Sequence, residues 1–66
     1  MDLVKIRVRP EGEPEYDVCG FLAENTYEYI VLIQSEIDPL SITVAWKSVD
    51  KAEICDVVRE LKRPEE

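Results

Sequence analysis

Residues 16–33 read YDVCGFLAENTYEYIVLI and hold two predicted β-strands separated by a tight turn. The first strand pattern covers residues 15–23, and the turn is predicted at residues 24–26, because asparagine tolerates the left-handed backbone conformations of tight turns. Gly20 lies in the middle of the first pattern and has no side chain to pack. It therefore predicts a sharp bend, a bulge or a close backbone approach, and with it a strongly curved sheet.

The second of these strands, over residues 27–35, is apolar on both of its faces. Residues 29–33 read YIVLI without interruption, whereas a sheet with one wet face needs only alternate apolar residues. A short chain has few elements with which to cover both faces. We therefore expect edge strands of several copies to join, which predicts a homo-oligomer.

Two more strands are predicted on either side of this pair. Residues 4–8 alternate β-branched residues with cations, and residues 42–46 place Ile42, Val44 and Trp46 on one face of a further strand. Prolines and a glycine predict a turn at residues 10–14, and Asp38 followed by Pro39 predicts a type I turn at residues 38–41. Four strands joined by short turns give a meander.

The last quarter of the chain fits two structures. Helical spacing predicts a helix over about residues 51–62 that buries four apolar side chains, namely Ile54, Val57, Val58 and Leu61. The alternation of Ala52, Ile54 and Asp56 instead fits a fifth strand within residues 51–58, followed by a brief terminal helix. Local pattern leaves both open, and residues 64–66 are expected to be a frayed tail of a single domain spanning residues 1–66.

Residues 16–32 resemble the first conserved motif of the Sm-like and Hfq proteins. In that motif a strand bends at a glycine, turns at an acidic or asparagine position and resumes as an aliphatic strand. Residues 42–49 and 52–54 are similar to the second motif, although the residues with which that motif contacts RNA are not recognisable here. The resemblance implies self-assembly, RNA binding and a mainly β fold. The predicted fold class is a small, highly curved antiparallel sheet or Sm-like barrel of four to five strands with a short C-terminal helix.

The composition limits the kinds of ligand and reaction that the chain could support. The chain has 66 residues, 45% of them hydrophobic, and carries 15 acidic against 8 basic residues, for a net charge of −7. This charge opposes the binding of a polyanion by overall attraction. Histidine is absent and the two glycines cannot build a phosphate-binding loop, so we expect no catalytic residue, no cofactor and no metal site. Cys19 and Cys55 are expected to be buried, reduced thiols.

The N-terminal residues and the hydropathy of the chain predict where in the cell the protein is located. The first ten residues carry charges at every second or third position, and no apolar run approaches the roughly 18 residues that span a bilayer. A cytoplasmic protein that does not enter a membrane is expected.

Five residues are the candidates for nucleic-acid binding: Lys5, Arg7, Arg9, Trp46 and Lys47. The three cations at alternate positions could contact phosphates, and Trp46 could stack a base beside a phosphate bound by Lys47. A second interpretation makes the cations the wet face of an edge strand, paired with the acidic second strand, and makes Trp46 part of the core or of an interface. The acidic stretch Glu11, Glu13, Glu15 and Asp17 is expected to be a solvated acidic edge.

These features predict a non-catalytic, self-assembling binding module that contacts RNA. The alternative is an acidic adaptor that binds a protein partner through its sheet edge or its C-terminal helix. Salt dependence separates the two, because RNA binding weakens steeply as salt rises.

Overall fold

The computed structural model describes residues 1–35, 37 and 40–66 and consists mainly of β-strands. The strands are β1 (Leu3–Val8), β2 (Tyr16–Asn25), β3 (Tyr29–Ile33), β4 (Ser41–Ala45), β5 (Val49–Ile54) and β6 (Arg59–Glu60). Helix is limited, among these residues, to a 3₁₀ turn at Trp46–Ser48. None of the described helix is long and apolar enough to cross a membrane. The prediction of a mainly β, antiparallel fold is confirmed.

The strands form one antiparallel sheet in the order β4-β3-β2-β1-β5-β6. Strands β1 to β4 pair consecutively, β5 returns to the free side of β1, and β6 pairs with β5. The two outer strands, β4 and β6, do not pair with each other. The described strands therefore form an open sheet of six strands, and the closed barrel of four to five strands is not present among them.

Strand β2 bends because its two halves pair with different neighbours. Residues 16–21 pair with β1 and residues 21–25 pair with β3, so that Phe21 lies opposite both Leu3 and Ile33. A register shift between Leu22 and Glu24 adds a bulge just beyond this point. Bulges increase the local twist and bend the strand, which turns β3 and β4 back toward β1 and β5.

Gly20 lies at this bend and faces the core. A Cβ atom at this position would lie 3.0 Å from the carbonyl oxygen of Ile33 and 3.0 Å from the Cβ of Leu32. Real Cβ atoms rarely come so close to their neighbours, so β3 can approach β2 here only because the side chain is missing. The predicted close backbone approach is confirmed.

One face of the curled sheet forms the core. The alternation of β1 directs Val4, Ile6 and Val8 inward. The other buried residues are Ile30, Leu32, Val44, Ala52, Ile54 and Leu61. Burial of each large aliphatic side chain stabilises the fold by about 1.5–3 kcal/mol. The outward residues of β3, at positions 29, 31 and 33, are only half-buried, so the expected cover on both faces is complete on one face alone.

The C-terminal helix predicted over residues 51–62 is wrong. Strand β5 occupies Val49–Ile54, a turn follows, and β6 takes Arg59–Glu60. Ala52 lies opposite Ile6, and Ile54 lies opposite Val4, so pairing with β1 buries alternate residues and outweighs the local helical spacing. The fifth strand of the other interpretation is present, although it spans Val49–Ile54, but the brief terminal helix expected after it is absent from residues 55–66.

Two of the four side chains assigned to the buried helix face are exposed. Val57 and Val58 lie in the turn between β5 and β6 and are 59% and 77% exposed, so their predicted burial is wrong. Val58 also has a φ of 47°, which is rare for a β-branched residue. Leu61 is buried at 8% exposure, and its amide donates to the carbonyl oxygen of Ala52 at 2.9 Å. The spacing of these residues therefore comes from a strand, a turn and a returning segment.

One predicted turn is present where it was expected, and another lies later in the chain. The turn at residues 10–14 is present, and Gly12 adopts a φ of 75° there. The turn after β2 lies at residues 26–28, later than predicted, because β2 extends to Asn25. The Thr26 hydroxyl oxygen accepts a hydrogen bond from the Tyr29 amide at 3.1 Å and stabilises this turn. The predicted type I turn rests on Asp38 and Pro39, which lie outside the described residues.

Replacing Gly20 with valine should destabilise the protein by more than about 1 kcal/mol, because the new side chain meets the backbone of β3. Thermal unfolding measures the change. Cys19→Val is the matched control, since Cys19 is the adjacent residue of β2 and is exposed. An unchanged melting temperature for Gly20→Val would show that β3 can move aside at no cost.

Leu61→Ala should destabilise the protein by about 2–3 kcal/mol, because it leaves a cavity where the returning segment meets the core. The exposed Val57→Ala should change stability by less than about 0.5 kcal/mol. Chemical denaturation of both variants makes the comparison. Equal losses for the two variants would mean that the returning segment does not contribute to the core.

Candidate nucleic-acid interface

The outer face of β1 carries the predicted basic stripe. Lys5 and Arg7 point outward because the residues between them point into the core, and Arg9 follows just after the strand. The strand register places carboxylates beside this stripe on both sides: Asp17 of β2 lies opposite Arg7, and Glu53 of β5 lies opposite Lys5. The stripe is therefore set between acidic residues of its two neighbouring strands.

All three cations of the stripe form ion pairs with neighbouring carboxylates, of which Glu53 is not one. Arg7 Nε lies 3.1 Å from Asp17 Oδ1, and Arg9 Nη2 lies 2.7 Å from Glu15 Oε2 and 3.2 Å from Asp50 Oδ2. A further pair joins Lys5 Nζ to Asp17 Oδ2 at 3.7 Å. Exposed pairs of this kind each contribute little to stability. Their effect on binding is larger, since a phosphate would have to compete with carboxylates already in place.

The ion pairs also favour the charged forms of Arg7, Arg9 and Asp17. The hydrogen bond from the Arg7 guanidinium lowers the pKa of Asp17 below its ordinary value. In the same way the hydrogen bonds to Asp17 and Glu15 raise the pKa values of Arg7 and Arg9. Both signs of charge are therefore retained at neutral pH. This arrangement matches the interpretation of the stripe as the wet, cross-paired face of a strand.

Trp46 and Lys47 lie in the 3₁₀ turn between β4 and β5. The Trp46 indole is half-buried against the core, and its Nε1 donates to Asn25 Oδ1 at 2.9 Å. Lys47 is exposed and lines a groove with Arg9 and residues 10–14. The Arg9 amide donates to the Ser48 carbonyl oxygen at 2.8 Å and joins the end of β1 to this turn. The structure thus brings Arg9 and Lys47 together and leaves Lys5 and Arg7 farther along the strand.

A further cation, Arg63, lies beside Lys47 and was not predicted from the sequence as a site residue. The Arg63 guanidinium lies over the Tyr27 ring, 4.1 Å from its centroid, and its Nε donates to the Tyr27 carbonyl oxygen. Arg63 and Lys47 line one groove together with Glu28 and Ala45. The segment that carries Arg63 is held by Asn25, whose Nδ2 donates to the Lys62 carbonyl oxygen at 3.1 Å. No local pattern links Arg63 to Tyr27, because only the tertiary fold places them together.

We call the surface formed by Arg9, Tyr27, Trp46, Lys47 and Arg63 the basic corner. Four segments meet there: the chain after β1, the turn between β2 and β3, the 3₁₀ turn and the chain after β6. Among the described residues, neither Lys47 nor Arg63 forms a salt bridge with a carboxylate, in contrast to Lys5, Arg7 and Arg9. The basic corner thus combines two cations without a salt bridge to a described carboxylate, Lys47 and Arg63, with the paired Arg9 at its border.

The chain matches no protein-family model, no curated protein and no solved structure.

The cysteines and the acidic residues that the structure describes form no cluster suited to a metal ion. Cys19 is exposed and Cys55 is half-buried, and both are free thiols. The expected burial of Cys19 is wrong, because it lies on the outer face of β2 opposite Lys5. Within the described residues, no three Cys, Asp or Glu side chains converge so as to hold a metal ion. The loop residues Glu11 and Glu13 are exposed to solvent.

Asp17→Asn should lower the melting temperature at neutral pH and have less effect in acid. Because the folded-state pKa of Asp17 lies below the ordinary 3.8, its ion pair stabilises the fold above that value and loses this effect as pH falls through the folded-state pKa. Thermal unfolding from pH 2 to pH 7 tests this. The loop variant Glu13→Gln is the control, and an Asp17→Asn effect that persists unchanged at pH 2 would contradict the assignment.

Proposed function

We propose that this protein is a non-catalytic, self-assembling binding module of the Sm-like kind and that its ligand is single-stranded RNA. The observation that carries the proposal is the outer edge of β4, which pairs with no other described strand. The ligand is assigned from the basic corner, where cations and aromatic rings lie side by side.

The edge of β4 supports self-assembly because it has none of the usual protection. Edge strands in stable monomers commonly carry charges, prolines or bulges that prevent pairing with another chain. Strand β4 reads SITVA and pairs with β3 in a regular register over its whole length. It contains no charged residue, in a chain of which 35% is charged. An uncharged, regular edge of this kind is suited to pairing with a further strand.

The basic corner supports RNA as the ligand. Lys47 and Arg63 form no salt bridge with a described carboxylate, although Glu28 lines their groove, and Tyr27 is 39% exposed, so a base could stack on its free area. The half-buried Trp46 holds the 3₁₀ turn in place through its bond to Asn25, which makes it a positioning residue for Lys47. Phosphates would then be bound by Lys47 and Arg63, with Arg9 at the border of the surface.

The resemblance to the Sm-like proteins supports the same proposal. The features that carry it are a strand bent at a glycine, a turn near asparagine and an aliphatic strand. Gly20 lies at the bend of β2, Asn25 ends that strand, and β3 is the aliphatic strand that follows.

One observation favours the alternative, an acidic adaptor that binds a protein partner. The stripe of Lys5, Arg7 and Arg9 is compensated by carboxylates, and the chain keeps a net charge of −7. Such an adaptor would use the β4 edge. The C-terminal helix, which was the other predicted contact of the adaptor, does not exist.

The test is the binding of a fluorescein-labelled, mixed-sequence RNA 20-mer, followed by fluorescence anisotropy. For about three phosphate contacts, the affinity should fall roughly tenfold to twentyfold between 50 and 200 mM salt. The double variant Lys47→Gln, Arg63→Gln should weaken binding and flatten this salt dependence, because it removes two of the contacts.

The matched control is Lys5→Gln, Lys51→Gln, which removes the same charge from the outer face of the sheet, where carboxylates lie nearby. It should bind the RNA nearly as well as the parent. Absence of RNA binding by the parent at 50 mM salt would contradict RNA as the ligand and leave the adaptor.

A further inference from the structure

The hydrogen-bond directions of β4 identify which of its backbone groups bond to β3 and which point away from the sheet. The Trp46 amide donates to the Glu28 carbonyl oxygen at 3.0 Å, and the Gln34 amide donates to the Leu40 carbonyl oxygen at 3.3 Å. In an antiparallel pair the bonded positions alternate, so the backbone groups of residues 40, 42, 44 and 46 face β3. The amide and carbonyl groups of Ser41, Thr43 and Ala45 therefore point away from the sheet.

The opposite edge of the sheet, β6, has far fewer backbone groups available for pairing with another chain. The Leu61 amide donates to the Ala52 carbonyl oxygen, so in β6 the backbone groups of Arg59 face β5 and those of Glu60 face outward. Strand β6 has only two residues, both charged, and the Lys62 carbonyl oxygen already accepts a bond from Asn25. A short, charged edge is a poor partner for the uncharged β4, so joining β4 of one copy to β6 of another is disfavoured.

We infer that two copies of this chain pair through β4, antiparallel, around a two-fold axis at Thr43. This deepens the proposed self-assembly and rests on it. In this register residue 43 lies opposite residue 43 of the second copy, and Ser41 lies opposite Ala45. All three free amides and all three free carbonyls of each copy are then used, which gives six backbone hydrogen bonds. A shift by two residues in either direction leaves one of the three positions in each β4 without a partner within the other β4.

The same register matches the side chains. Leu40, which is 67% exposed, would lie opposite Trp46 of the second copy, and the half-buried Ile42 would lie opposite Val44. Both pairs are apolar, and the dyad repeats each of them. On the outer face the two Thr43 side chains meet, which is a favourable cross-strand pair. The exposure of Leu40 and the partial exposure of Trp46 and Ile42 thus have a common explanation.

Charge also favours this edge over the rest of the surface. Two copies that each carry −7 repel one another, and contact costs least where neither copy presents a carboxylate. Strand β4 is an edge strand of Ser, Ile, Thr, Val and Ala alone. A two-fold contact also closes at two subunits, because it uses the same surface of both. The expected mass is therefore about 15 kDa, twice the 7.6 kDa of the chain.

Cysteine cross-linking of the full chain tests the register. In a Cys19→Ser, Cys55→Ser background, Thr43→Cys should form a disulfide-linked dimer under oxidised glutathione, because paired Cα atoms about 5.5 Å apart allow a disulfide. Ser41→Cys in the same background is the matched control and should not cross-link, since the two copies of residue 41 would lie about 14 Å apart along the strands. A mixture of Ser41→Cys and Ala45→Cys chains should cross-link.

Light scattering after size exclusion separates the possible failures. The parent should give about 15 kDa, and Thr43→Lys, which places two like charges at the dyad, should give a 7.6 kDa monomer that still unfolds cooperatively, at a melting temperature no longer dependent on protein concentration. A parent that is monomeric at 100 μM would overturn both the self-assembly and the register. An assembled parent whose Thr43→Cys variant does not cross-link, or cross-links no better than Ser41→Cys, would overturn the register and leave self-assembly standing.

Discussion

The close approach of β3 to Gly20 is the constraint on which the rest of the structure depends. With no Cβ in the way, β2 can pair with β1 along its first half and with β3 along its second half, so the sheet curls. Curling is what allows a chain of 66 residues to bury one face of its sheet without a second layer. It brings Ile30 and Leu32 of β3 into the same core as Val4 and Ile6 of β1.

Much of this sheet could be predicted from local pattern, and the rest could not. Strands β1 and β3 and the bend in β2 could be predicted because each depends on a few consecutive residues: the alternation in β1, the aliphatic run of β3 and the glycine in β2. The helix predicted for the C-terminal segment is wrong because its apolar residues have helical spacing by coincidence. Ile54 ends a strand, Val57 and Val58 lie in a turn, and Leu61 lies in the returning segment. Only the pairing of β5 with β1, a contact between distant parts of the chain, separates the two structures.

The candidate site shows the same division. The stripe and its acidic neighbours were visible in the sequence, and their pairing was one of the two interpretations, because consecutive antiparallel strands place Arg7 near Asp17. The register decides that the carboxylates lie directly beside the cations. Arg63 over Tyr27 could not be predicted, because the contact joins residues that no periodicity relates and depends on Asn25 holding the chain after Leu61.

The distribution of charge gives the faces of the sheet different properties. Cations and carboxylates alternate over the outer surface of β1, β2 and β5, where they balance one another and leave no net attraction for a polyanion. Among the described residues, the basic corner holds Lys47 and Arg63, which form no salt bridge, next to exposed aromatic surface, and β4 is the edge strand without a charged residue. Trp46 follows directly after β4 and bonds to Asn25, so the proposed pairing edge and the proposed RNA surface are mechanically connected through one side chain. Pairing of two copies would also place two basic corners on one continuous sheet, and an RNA strand long enough to reach both would then bind more tightly than either corner alone allows.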